Sequence, residues 1–205
     1  MSLVTLCAFD GSGIDGGLYL RVVGWAEAAP AWLDGLVRLW SAYGLALFAL
    51  LMLAGWWRAR GAEAVVMARA LAVPLVTGAA YLVNELLKLV VAEVRPCRQL
   101  AAGPTLETCP APSDWSFPSN HAVIAFAAAT ALLLTDRLLG WTALAAALLM
   151  AGSRVWIGVH YPHDVVAGAL VGALVAVPLT LAAGRAAPLV ERGRGGPLGG
   201  VLGLV

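Results

Sequence analysis

The stretch S-R-V-W-I-G-V-H-Y-P-H-D, Ser153 to Asp164, decides how this chain is read, because it sets an arginine, two histidines and an aspartate between two long apolar runs. Pro162 suits the first turn of a helix, which puts Asp164 in that turn and His160 just before it. An aspartate that accepts the proton of one imidazole nitrogen fixes the tautomer and leaves the other nitrogen free as a nucleophile. Arg154, near the end of the preceding run, is placed to fork onto two phosphate oxygens. Ser153 either orients that arginine or packs as a small residue between helices. His163 is expected on the solvent side.

Two similar islands lie upstream. Lys88 and Arg95 are seven residues apart and project from nearly the same helix face. Pro96 favours an extended Arg95 and marks the helix end. A cation at the membrane boundary serves a partner or snorkels outward, and Glu85, one turn before Lys88, is an alternative ion-pair partner. In Pro118-Ser119-Asn120-His121, Ser119 stands where an N-cap would open a helix, so the amides that follow form an anion-binding terminus with His121 in its first turn.

Composition sets the solvent. A chain of 205 residues that is 61% hydrophobic and 12% charged has too few polar groups to cover a water-facing surface. Runs of about 18 apolar residues cross the hydrocarbon core as a helix, and five segments are predicted to span: Leu36–Trp57, Ala64–Val91, Ala122–Leu139, Trp141–Val159 and Val165–Ala183. The fold class is therefore all-α, a polytopic membrane bundle of five spans. Residues 1–31 have no long apolar run, and Ile14, Leu18, Val22, Trp25 and Ala29 recur at helical spacing, which predicts an interfacial amphipathic helix ahead of Pro30. Residues 32–183 form the membrane domain, and residues 184–205, rich in Gly, Pro and Arg, read as a flexible cytoplasmic tail. The net charge of +1 and the lack of a basic run give no sign of a nucleic-acid partner.

Arg58, Arg60, Arg69, Arg137, Arg185, Arg192 and Arg194 all fall at one set of helix ends, predicted to be cytoplasmic. The three polar islands then share the extracytoplasmic side of the cell membrane. Cys97 and Cys109 lie in the loop on that oxidising side, where a disulfide would staple it; free thiols are the alternative, and Cys7 lies in the amino-terminal segment. Asp114, Trp115 and Phe117 of the same loop suggest a lid with an aromatic anchor at the interface.

In order and spacing, Lys-x6-Arg-Pro, Pro-Ser-x-His and Ser-Arg-x5-His-x3-Asp resemble the three-part signature of the type 2 phosphatidic acid phosphatase family, relatives of the vanadium haloperoxidases. The resemblance spans residues 88–164 and departs at Asn120, where the family usually has glycine. It implies His160 as nucleophile forming a phosphohistidine, Asp164 orienting it, and His121 protonating the leaving oxygen and then activating water. It also implies Lys88, Arg95, Arg154, Ser119 and the Asn120 and His121 amides as the phosphate cradle, with no cofactor and no metal. Asn120 is expected to narrow the phosphate pocket or add a donor. On the residues alone, three histidines without a carboxylate-rich cluster make a poor magnesium or zinc site.

A site at the membrane edge favours a lipid phosphate whose tail stays in the bilayer. Family members of this brevity point to undecaprenyl diphosphate, with phosphatidic acid, phosphatidylglycerophosphate and decaprenylphosphoryl-phosphoribose as competitors. A lipid-phosphate transporter would use the cations but leave His160 and Asp164 idle. A structural scaffold would need every polar island to be coincidental, and hydropathy excludes a soluble haloperoxidase.

Overall fold

The computed structural model describes residues 8–100 and 105–203, and these are helical apart from connecting segments. The helices are α1 (Ser12–Glu27), α2 (Ala31–Tyr43), α3 (Leu45–Ala59), α4 (Ala64–Val91), α5 (Pro96–Gln99), α6 (Asn120–Leu133), α7 (Arg137–Trp156), α8 (Pro162–Ala183), α9 (Ala187–Arg194) and α10 (Gly199–Leu202). Large apolar side chains cover the outside: Leu75, Val90 and Leu174 are each more than 70% exposed. Such a surface is stable only against hydrocarbon, and the chain is a multi-pass membrane protein.

Three helical stretches are long and apolar enough to span, Ala64–Val91, Arg137–Trp156 and Pro162–Arg194, and a fourth arises if α2 and α3 count as one. The predicted first span is thus two helices bent by 52° at Gly44. A Cβ at Gly44 would lie 2.5 Å from the Trp40 carbonyl oxygen and 2.7 Å from Met150 Cε, so a glycine permits the close approach there. The predicted third span is shorter than expected, because α6 stops at Leu133 and Asp136 caps α7 by accepting the Leu139 N–H at 3.1 Å. The amino-terminal helix forms, with Ile14, Leu18 and Trp25 facing outward and Tyr19, Val23 and Ala26 buried. Residues expected as a tail carry α9 and α10, where Arg194 donates to the Ala62 carbonyl at 2.7 Å.

The core is built on α6, which packs against α4, α7 and α8. Its inward residues are mostly alanine: Ala122, Ala125, Ala127, Ala128, Ala129 and Ala131 are all buried. Across from them, a Cβ at Gly168 would lie 2.7 Å from the Ser119 carbonyl oxygen, and one at Gly172 would lie 2.6 Å from that of Val123. Small residues on both sides let the two backbones touch, the usual way membrane helices gain packing without a hydrophobic driving force. The seam delivers the Ser119 N–H to within 3.1 Å of the Asp164 carbonyl, joining the second and third polar islands.

The basic residues assigned to one set of helix ends do gather there. Arg58 pairs with Asp136 at 2.5 Å, Arg69 donates to the Leu134 carbonyl at 3.3 Å, and Arg60 donates to that of Gly200 at 2.8 Å. The polar islands lie at the opposite end of the bundle.

Candidate active site

Each site residue is positioned by a helix terminus. α4 ends at Val91, and the left-handed backbone of its C-cap Ala92 (φ 49°) turns the chain so that Arg95 and Lys88 meet at the same Asp114 oxygen. Pro96 opens α5 and holds Arg95 extended. Ser119 is the N-cap of α6, and Pro162 occupies the first turn of α8. His160 and Asp164 therefore face the α6 terminus, with Arg154 at the end of α7.

The central pair has the geometry of an oriented imidazole. His160 Nδ1 lies 3.2 Å from Asp164 Oδ2, and His160 Nε2 lies 3.1 Å from Arg95 Nη1. Arg95 is only a donor, so Nε2 carries the lone pair and Nδ1 the proton given to Asp164. The same Asp164 oxygen accepts the Ser116 hydroxyl at 2.5 Å and the Tyr161 N–H at 2.8 Å. His160 is 2% exposed. Burial, reinforced by the Arg95, Arg154 and Lys88 charges, pushes its protonation well below the ordinary imidazole range, so the ring is a neutral base.

Three cations surround it, all buried: Lys88, Arg95 and Arg154. Their partners come largely from the loop between α5 and α6. Asp114 Oδ1 sits 3.3 Å from Lys88 Nζ and 2.9 Å from Arg95 Nη2, and Glu107 Oε2 sits 3.4 Å from Arg154 Nη1. Lys88 also donates to the Trp115 carbonyl, and Arg154 to Ser41 Oγ at 2.7 Å. Burial alone would raise the Asp114 pKa, but Arg95 and Lys88 together draw it below its ordinary value. The loop thus lays carboxylates on the groups predicted to hold phosphate. The buried Ser119 hydroxyl has no hydrogen-bond partner among the described residues, which leaves it free to donate to a ligand oxygen. His121 is half-buried in the first turn of α6, at the same end of the bundle.

Several expectations change. Glu85 does not pair with Lys88; it accepts the Asn120 amide at 2.8 Å, and Asn120 Oδ1 accepts from Asn84 at 2.5 Å. Asn120 therefore turns its side chain to α4, and these contacts occupy both ends of its amide. Ser153 bonds back to the Met150 carbonyl at 2.7 Å instead of orienting Arg154. Cys97 and Cys109 are joined as a disulfide, with Cα atoms 6.0 Å apart, while Cys7 lies outside the described residues.

His163 is not on the solvent side. Its Nδ1 lies 2.7 Å from Asp15 Oδ1 and its Nε2 lies 2.9 Å from Glu93 Oε1, because α1 folds across the start of α8. A carboxylate-rich cluster therefore exists where none was expected, and Glu93, His163 and Asp164 bring ligand-type atoms within 4.8 Å of one another. With a carboxylate oxygen beside each ring nitrogen, both nitrogens donate an N–H and neither keeps the lone pair a metal would need, so the group is a hydrogen-bonded charge cluster. Glu93 and Ser116 were missed from the sequence. Glu93 was detectable as the one acid between Lys88 and Arg95; Ser116 gave no signal.

Helix termini thus gather three buried cations around a buried His–Asp pair in a multi-pass membrane protein, and comparison with known proteins gives its family. The PAP2 superfamily profile matches residues 69–187, and the chain belongs to that superfamily. It is 36% identical over 146 residues to the undecaprenyl-diphosphatase BcrC of Bacillus subtilis, covering 70% of each protein. It is 40% identical over 97 residues to an undecaprenyl-diphosphatase of Sulfolobus acidocaldarius, where the match spans 47% of this chain and 46% of that one. Crystal structures of similar fold include Aquifex aeolicus LpxE, with TM-score 0.57 and 24% identity over 84% of this chain and 98% of that one. Another is a PAP2-type phosphatidylglycerolphosphate phosphatase of B. subtilis, with TM-score 0.57 and 23% identity over 80% and 83% of the two chains.

Proposed function

We propose that this chain hydrolyses the terminal phosphate of a polyprenyl diphosphate, undecaprenyl diphosphate foremost, through a phosphohistidine and without a metal. The observation that carries the reading is the buried His160, with Nδ1 3.2 Å from Asp164 and Nε2 aimed at the cation cup. His160 Nε2 attacks the terminal phosphorus, and the bond from phosphorus to the bridging oxygen breaks as polyprenyl phosphate leaves. His121 gives the leaving oxygen its proton, then takes one from the water that cleaves the P–N bond and releases inorganic phosphate. Lys88, Arg95, Arg154 and the Ser119 hydroxyl hold the phosphoryl oxygens, with Asn120 and His121 contributing backbone amides at the α6 terminus. Fixed donors aimed at developing charge account for most of such a rate enhancement.

The site lies on the extracytoplasmic side of the cell membrane in this reading, supported by the arginines gathered at the opposite end. The short, centrally packed α6 serves as a fifth pass, and α1 lies at the interface. The test is phosphate release in detergent from undecaprenyl diphosphate, phosphatidic acid and phosphatidylglycerophosphate, each with and without chelator. Undecaprenyl diphosphate should be turned over fastest, chelator should leave the rate unchanged, and His160→Ala should abolish it. A chelator-sensitive rate or an active His160→Ala variant overturns the mechanism.

A further inference from the structure

Behind the His160–Asp164 pair, away from the cation cup, three carboxylates converge on one imidazole. His163 Nδ1 is 2.7 Å from Asp15 Oδ1, and Nε2 is 2.9 Å from Glu93 Oε1 and 3.5 Å from Asp164 Oδ1. Asp15 Oδ2 also accepts the His163 backbone N–H at 2.7 Å, and the Tyr161 ring stacks on the imidazole at 5.3 Å. The ring is thus clamped by α1, by the segment after α4 and by its own helix. Carboxylates accept but do not donate, so a ring with one at each nitrogen carries both protons and a positive charge. Glu93 and Asp164 are each 0% exposed, and each keeps one oxygen, Glu93 Oε2 and Asp164 Oδ1, without a hydrogen-bond partner among the described residues. Two such acids side by side do not both stay ionised without a neighbouring cation.

We propose that His163 is a positioning residue for the phosphohistidine reaction: its imidazolium offsets Glu93, holds Asp164 as a carboxylate, and so keeps the Nδ1 proton of His160 in place. This rests on the reading of His160 as nucleophile. The groups facing the His160–Asp164 pair are Arg95, Arg154, Lys88 and His121 from the cup and Glu93 and His163 from behind. His163 is the one cation on the rear side among the described residues, and removing it lets the pair take up its inactivating proton at higher pH.

The experiment is phosphate release by the full chain in detergent from about pH 4 to 8.5, far enough down to include the wild-type acid limb, for His163→Gln, Glu93→Gln, the double variant and His160→Ala. His163→Gln should raise the acid limb by about one unit, so that activity falls roughly tenfold further at the acid end than at pH 8.5. The double variant, lacking the opposing Glu93 charge, should bring the limb back toward the wild-type position. Glu93→Gln alone should leave it in place or move it lower. A His163→Gln profile superimposable on wild type, a pH-independent loss unrelieved by Glu93→Gln, or a raised limb in Glu93→Gln alone overturns the proposal. If His163→Gln does not fold, the direction of the Glu93→Gln shift decides. An active His160→Ala variant fails the nucleophile assignment instead, a separate outcome.

Discussion

Replacing Asp114 by asparagine should tighten the grip of the site on phosphate. The Asp114 carboxylate lies 2.9 Å from Arg95 and 3.3 Å from Lys88, where phosphoryl oxygens are proposed to bind, and a ligand must displace it first. Its side chain is 47% exposed, so solvent screening discounts both pairs. Exposed pairs contribute about 0.2–1 kcal/mol each, which puts the two together near 1 kcal/mol. Removing the charge should lower the inhibition constant for inorganic phosphate by roughly fivefold. The Asp114 pKa is already drawn below its ordinary value by Arg95 and Lys88, so the competition persists through the neutral range. The assay follows lipid product under a titration of phosphate, at low and at high ionic strength. The gain should shrink at high salt, where the pairs are screened. An inhibition constant that is unchanged or raised in Asp114→Asn would refute the idea that this carboxylate occupies the phosphate subsite.

Further expectations concern stability. Gly168→Val and Gly172→Val force side chains onto the backbone of α6, 2.7 Å and 2.6 Å from carbonyl oxygens, and should each cost about 1–3 kcal/mol in thermal unfolding. Cys97→Ser with Cys109→Ser opens a closure of 12 residues, worth about 3 kcal/mol by loop entropy, measurable as a lower melting temperature matched by reductant on the wild type. His160 stays neutral in the fold, whereas in the unfolded chain it protonates near pH 6.5. Stability should therefore hold above about pH 6.5 and fall below it, by up to about 1.4 kcal/mol per pH unit from this group. His160→Ala should flatten that slope in a melting series.

The convergence of the proposed site residues was legible because they place polar atoms where hydropathy forbids them. Lys88, Arg95, Ser119, His121, Arg154, His160 and Asp164 interrupt apolar runs, and helix-terminus rules brought them to one end of the bundle. What periodicity could not carry was long-range pairing. Asp15 meets His163 across 148 positions, and that contact turns a residue assigned to solvent into part of the charge cluster. The Asn120 side chain was expected to narrow the phosphate pocket or add a donor, but Asn84 and Glu85 on α4 engage both ends of its side-chain amide. Two boundaries were within reach. Gly44 interrupts the first apolar run, and Thr135-Asp136 is an N-cap signal inside the predicted third span.

The bond from Ser119 to the Asp164 carbonyl, with Gly168 and Gly172 pressed against α6, fastens Asp164 and the amino terminus of α6 to one closely packed floor. Ser116 of the stapled loop and Asp15 of the amino-terminal helix both reach the start of α8, so exchanging either stretch between relatives should change the rate of phosphate release and not lipid preference alone.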